Sequence, residues 1–215
     1  MTSTSKDDKL IEGLVLRTTP YSETSLILVL LTRESGQQHF LLRGGRKAGK
    51  KKFPAADLFR LVEVNYREGK GELHPAKEIE LVRPFDSIAR SANAYAAALW
   101  LSRFALANSV VDHEAMKLFD AISLAFDRLS QPDTDARAIV LSVCFVALEE
   151  HGVSPDLSAR PDKQRQLEEM VTYGLDSAAQ PPPHSEETWQ ALKAWMNRYL
   201  QKVGLQVPPG WTKLP

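Results

Sequence analysis

Between Gly44 and Lys52 the chain reads GGRKAGKKK, and Arg46, Lys47, Lys50, Lys51 and Lys52 place five positive charges within seven residues. Cations on a glycine-spaced loop suit phosphate, because Lys and Arg release condensed counterions when they meet a nucleic-acid backbone. If all five engage a duplex, each contact steepens log K against log salt by about 0.9. Arg17, Arg33, Arg43 and Arg60 lie on neighbouring predicted strands or turns and extend the patch as candidates. A merely solvated basic loop is the alternative that this signal alone leaves open. For base stacking, Tyr21 and Phe53 are the better-placed rings, each beside turn or loop residues, while Phe40 and Phe59 read as core.

The same segment imitates a nucleotide-binding loop, with two glycines separated by four residues, Gly44 and Gly49, and then Lys50. The chemistry fails there. Lys51 stands where Ser or Thr would ligate magnesium, and Phe53-Pro54 replaces the helix whose N-terminus would hold phosphate. Other catalytic groupings are equally unsupported. His39, His74, His113, His151 and His184 are scattered, and none stands at a metal-ligand spacing. Cys144 lies in the most apolar helical run and reads as packing. Glu149-Glu150 and Glu168-Glu169 are adjacent on helices and point apart, so they are solvated faces rather than acid/base pairs. The chain is expected to be no enzyme and to carry no cofactor and no metal.

The elements that must position these residues change character near residue 85. Before it, five short strands are expected: Leu10 to Arg17, Ser25 to Thr32, Gln37 to Arg43, Leu58 to Tyr66, and Ile79 to Val82. Five strands in so short a span suggest a small barrel or sandwich. After Pro84-Phe85-Asp86 the period becomes helical. Ser87 to Asn108 is Ala-rich, with Ile88, Ala92, Tyr95, Leu99 and Leu106 expected on one face. Asp112 is the expected N-cap of a second helix with a stripe of Ala115, Phe119, Ile122, Phe126 and Leu129. Ala136 to Glu150, opened by Asp133 or Thr134, is apolar nearly all round and belongs at the centre of a bundle. Pro161 opens a weaker helix through Gln164 to Tyr173, and Ser185 caps a last one carrying Trp189, Leu192, Met196, Tyr199 and Val203.

The 215 residues carry no net charge, yet the distribution is uneven. Residues 1–85 hold 15 Lys and Arg against 11 Asp and Glu, whereas residues 86–215 hold 12 against 16. The strand-rich half is therefore the basic one. No run approaches the roughly 18 apolar residues of a membrane span, and the N-terminus lacks an apolar leader core. A lone cysteine leaves no internal disulfide. A cytoplasmic, nucleoid-associated location and no membrane contact are the expectations.

Residues 11–47, IEGLVLRTTPYSETSLILVLLTRESGQQHFLLRGGRK, resemble the opening of RecO recombination mediators. There a Glu-Gly strand ending in VLR leads to a Y-x-E turn, an apolar strand ending LTRE-x-G, and a basic loop. Gly71-Glu72-Leu73, Glu80 to Phe85 (ELVRPF) and Gly152 to Ser158 (GVSPDLS) continue the likeness; little is recognisable beyond about residue 160. The resemblance implies an α+β, multi-domain chain, with an N-terminal five-stranded OB-fold barrel for DNA binding at residues 1–85 and an α-helical domain at 86–215. It implies binding of single- and double-stranded DNA, strand annealing, and assistance to RecA loading. The implied partners are RecR and the acidic C-terminal tail of single-strand-binding protein. Carried over by position, Arg17, Arg43, Arg46 and Lys47 face DNA. On the helical half Arg90, Arg103 and Arg137 are candidate basic spots for an acidic peptide. Two departures stand out. Ala159-Arg160-Pro161-Asp162 takes the place of the four-cysteine zinc loop of many relatives, and Ser25-Leu26 replaces an Asp-Lys pair. An interaction adaptor on the same scaffold, with weakened DNA binding, is the competing reading.

Overall fold

The computed structural model describes residues 8–45, 53 and 55–214. The strands are β1 (Asp8–Pro20), β2 (Leu26–Thr32), β3 (Gly36–Leu42), β4 (Arg60–Arg67) and β5 (Leu73–Pro84). The helices are α1 (Ala92–Asn108), α2 (Met116–Leu129), α3 (Ala136–Glu150), α4 (Pro161–Leu175) and α5 (Glu186–Lys202), with short 3-10 helices at Asp86–Arg90 and Trp211–Lys213. The fold is thus α+β, five strands followed by five α-helices. No helix among the described residues is long and apolar enough to cross a membrane.

The chain divides into two compact units. One holds Met1–Asp86 together with Ser109–Ala115; the other holds Ser87–Asn108 and Met116–Pro215.

In the first unit the strands are hydrogen-bonded in the order β1-β2-β3-β5-β4, and β4 returns to pair with β1, closing the ring. All pairs are antiparallel except β3–β5. Alternation decides what faces inward. Val15, Leu28, Leu30, Phe40, Leu42, Val62, Val64, Tyr66 and Ile79 fill the interior, where Phe40 meets Tyr66 edge-on at 5.1 Å. β5 begins six residues before the expected Ile79, because His74, Pro75 and Lys77 break its apolar alternation while its backbone still pairs with β3 and β4.

The segment 109–115 joins this unit through contacts that no local pattern announces. Gln37 N donates to Val110 O at 3.1 Å, and Ala115 N to Arg33 O at 3.0 Å. Gln38 Nε2 donates to the Asp112 carboxylate at 2.7 Å. Gly36 lies at φ +56°, and a Cβ there would fall 2.2 Å from Val110 O, so only glycine fits. Asp112 is consequently no N-cap: it sits at φ +58°, its side chain is engaged by Gln38, and α2 starts only at Met116.

In the helical unit Phe119, Ile122, Phe126 and Leu129 of the expected α2 stripe are buried; Ala115, also buried, precedes the helix and belongs to the first unit. α3 is buried along nearly its whole length. Its cap is Asp135, one or two residues later than expected, whose Oδ1 accepts from Arg137 N at 2.9 Å. Ser185 caps α5, accepting from Thr188 N at 3.2 Å. The expected face of α1 is out of phase. A 3-10 turn takes up Ile88, the α-helix starts at Ala92, and Tyr95 is 42% exposed, while Ala97, Ala98, Leu101, Phe104 and Ala105 form the buried side.

Candidate nucleic-acid interface

With Val15, Leu28, Leu30, Phe40 and Leu42 facing inward, the alternate residues of β1, β2 and β3 form an outer face. A bulge between Val15 and Arg17 resets β1, so Arg17 pairs with Val29, which pairs in turn with His39. One row further, Thr19 pairs with Ile27 and Ile27 with Leu41. Arg17 is exposed at the β1 edge, Ile27, His39 and Leu41 are half-buried, and Val29 between Arg17 and His39 is buried.

Leu26, at the start of β2, pairs with both Pro20 and Leu42. Tyr21 and Arg43, each the next residue along, therefore leave the sheet at the same end. Both are exposed, Tyr21 to 60%. The turn after β3 closes with Gly45 N donating to Leu42 O at 3.3 Å, and Gly44 takes φ +79°. The basic segment is thus rooted beside Tyr21 and Arg43. Arg46, Lys47, Lys50, Lys51 and Lys52 themselves lie outside the described residues.

The remaining candidates are elsewhere. Arg33 occupies the β2–β3 turn, seven residue steps from Leu26 at that end, which is about 23 Å at strand rise. Arg60 opens β4 and pairs with Asp86 at 3.4 Å. Phe53, expected as a stacking ring, is 5% exposed and packs into the barrel interior, because the chain folds back inward after the basic segment. Phe40 and Phe59 are buried, as expected for core. On the helical unit Arg137 is ion-paired with Asp135 and Glu186, while Arg90 and Arg103 are exposed.

Sequence reasoning missed two features that only register reveals. His39 sits in the middle of the outer face, half-buried, with Nε2 lacking a hydrogen-bond partner among the described residues. Burial holds its imidazole below the ordinary histidine value; Arg17 and His74 push the same way and Glu72 opposes them. The second feature is an acidic row on the other side of the barrel. Glu12 pairs with Glu63, and Glu63 with Glu80, across β1, β4 and β5, with Glu78 one row away. Like charges directly opposite one another are unfavourable and repel phosphate. The Glu12–Glu63–Glu80 row is therefore a local acidic stripe on strands that also carry Arg60, Arg67, Lys77 and Arg83, whereas Arg17 and Arg43 stand at β1–β2–β3.

Cys144 is fully buried in α3, and burial pushes its thiol far above the ordinary range. A thiol so placed stays protonated and is a poor nucleophile.

Residues 8–85 match the family model described as recombination protein O N terminal. The chain is also similar to proteins named DNA repair protein RecO. That of Cyanothece sp. is 24% identical over 146 residues, covering 67% of this chain and 50% of the relative. That of Exiguobacterium sibiricum is 27% identical over 150 residues, covering 68% and 58%. That of Bacillus pumilus is 36% identical over 74 residues, covering 34% and 29%. The chain spans about half the length of the first two of these relatives.

Proposed function

We propose, from the match of residues 8–85 to the RecO N-terminal family and the similarity to DNA repair proteins RecO, that the chain is a RecO-type DNA-binding repair protein without catalytic chemistry of its own. The carrying observation is the barrel end where Tyr21, Arg43 and the root of the basic segment converge, next to the face bearing Arg17 and His39. The strand order and closure fit an OB-fold, whose ligands lie on the face of strands 2 and 3 and under the loops that flank it. A single strand crosses that face with its phosphates at Arg17, Arg43 and the cations of 46–52, and one base against Tyr21. The acidic row on the opposite face gives the strand one favourable side.

Within the repair role, the protein anneals complementary strands and assists RecA loading onto DNA coated by single-strand-binding protein. Its partners in that work are the acidic tail of single-strand-binding protein and RecR. The non-catalytic reading rests on residues: Lys51 where a magnesium-binding hydroxyl would be needed, and a protonated, buried Cys144.

Oligonucleotide binding tests this. Changing Lys50, Lys51 and Lys52 together to Glu abolishes most salt-sensitive affinity, and annealing of complementary strands slows with it. Binding that is absent from the unaltered protein at low salt, or indifferent to the reversal, overturns the reading in favour of a protein-interaction adaptor.

A further inference from the structure

Helices α3, α4 and α5 frame a half-open cleft of about 400 Å³ that has no part in the nucleic-acid reading. Its walls are apolar, built from Phe145 of α3, Leu167 of α4, and Leu192 and Trp195 of α5. Trp195 is not free to collapse into the space. Its ring stacks on Phe145 at 5.9 Å and on Tyr199 at 4.8 Å, both nearly parallel. The volume of this cleft falls in the range of small-molecule sites.

The rim has a definite charge. Arg160 and Lys163, both exposed, line it at the start of α4. Arg160 is the N-cap position and makes no side-chain cap, so the positive end of the α4 dipole opens on the same rim. Lys163 Nζ reaches only Gln166 Oε1 at 3.4 Å, and no described carboxylate pairs with either cation. Glu187 of α5 is the one carboxylate among the described lining residues. Asp162 in the first turn of α4 offsets the helix dipole, and among the charged side chains that line the rim two cations stand against one acid, an excess of one positive charge.

We propose that this cleft binds a small amphipathic anion, with an apolar or aromatic body between α3 and α5 and a single anionic head at Arg160 and Lys163. An apolar pocket with a few convergent polar groups at one end fixes the orientation of such a ligand. The head group takes charge-assisted hydrogen bonds from the guanidinium and ammonium donors.

The full chain titrated with anilinonaphthalene sulfonate, an aromatic body carrying one anionic head, tests the assignment. Expected is saturable binding of one probe per chain. The double change Arg160→Glu, Lys163→Glu weakens it at least tenfold, because both charge-assisted contacts are lost. Ala191→Trp, at an exposed position on α5 that lines the cleft, blocks it while the unfolding midpoint stays unchanged. The same aromatic body without its sulfonate binds at least tenfold more weakly than the sulfonate, for the same reason. Non-saturable binding, full binding by the Ala191→Trp protein, or equal affinity for the two probes overturns the proposal. Complete displacement of the probe by an Asp-rich synthetic peptide at equal concentration also overturns it, assigning the cleft to a polypeptide.

Discussion

Replacing Arg17 and Arg43 together by Ala probes the outer face where the structure defines it. The two arginines stand on β1 and at the end of β3, with β2 between them, about 10 Å apart across the strands and, because Arg17 is level with His39, about 13 Å apart along them. Both are exposed and available to separate phosphates of one strand. Each phosphate contact on single-stranded DNA adds about 0.7 to the salt slope, so losing two lowers it by about 1.4. Between about 50 and about 200 mM salt, that difference changes the ratio of wild-type to variant affinity by about sevenfold, and the defect is greatest at low salt. Fluorescence anisotropy of a labelled oligothymidine across a salt series measures the slope directly. Arg33→Ala is the internal control, because that side chain is rooted in the far turn of the hairpin, about 23 Å from the Tyr21–Arg43 end. An unchanged slope in the double variant, or an equal loss from Arg33→Ala, refutes the placement of the strand on β1–β2–β3.

Three further outcomes follow from register and burial. Glu63→Lys turns the two like-charge pairs with Glu12 and Glu80 into opposite-charge pairs, stabilising the barrel by about 1 kcal/mol in urea unfolding, more at low than at high salt; a lowered midpoint contradicts the acidic row. His39, held below its ordinary value chiefly by burial, takes up a proton less readily folded than unfolded, so stability is complete above about pH 6.5 and declines as pH falls below it. Unfolding of His39→Asn compared with the unaltered protein over that range shows a flatter decline, and identical profiles sink the assignment. Phe53→Ala opens a hole in the barrel interior and costs about 3–5 kcal/mol, while oligonucleotide affinity of the folded protein is unchanged; weakened binding at unaltered stability would return the ring to the interface.

Much of the architecture was legible in local patterns. The apolar run of β2, the 3.6-residue stripe of α2 and the caps at Pro161 and Ser185 are signals carried by neighbours in sequence, and α3 announced its central place by being apolar all round. The outline of the site was legible for the same reason, since a cluster of cations needs no fold to be noticed. What could not be read was anything that depends on which strands lie side by side. Arg17 and Arg43 frame one face because a bulge in β1 and the shared pairing of Leu26 set their register, and a shift of one residue would have turned Arg17 inward. Glu12, Glu63 and Glu80 are 51 and 17 residues apart along the chain, and only antiparallel pairing lines them up.

Position along the chain also misled where long-range contacts overrode a local preference. Asp112 has the residue type of an N-cap, yet Gln38 engages its carboxylate and the 109–115 segment is held to the β2–β3 hairpin. Phe53 stands beside the basic segment but turns into the barrel, since burying a phenyl ring outweighs a local tendency to stay with the loop. The sequence by itself determined the two-part composition, the element types and the positively charged segment, because those depend on residue type and near neighbours. Tertiary structure alone decided which arginines share a face with Tyr21, where the acidic stripe lies on the barrel, and that α3, α4 and α5 leave a cleft between them, because each depends on residues far apart in sequence being brought together.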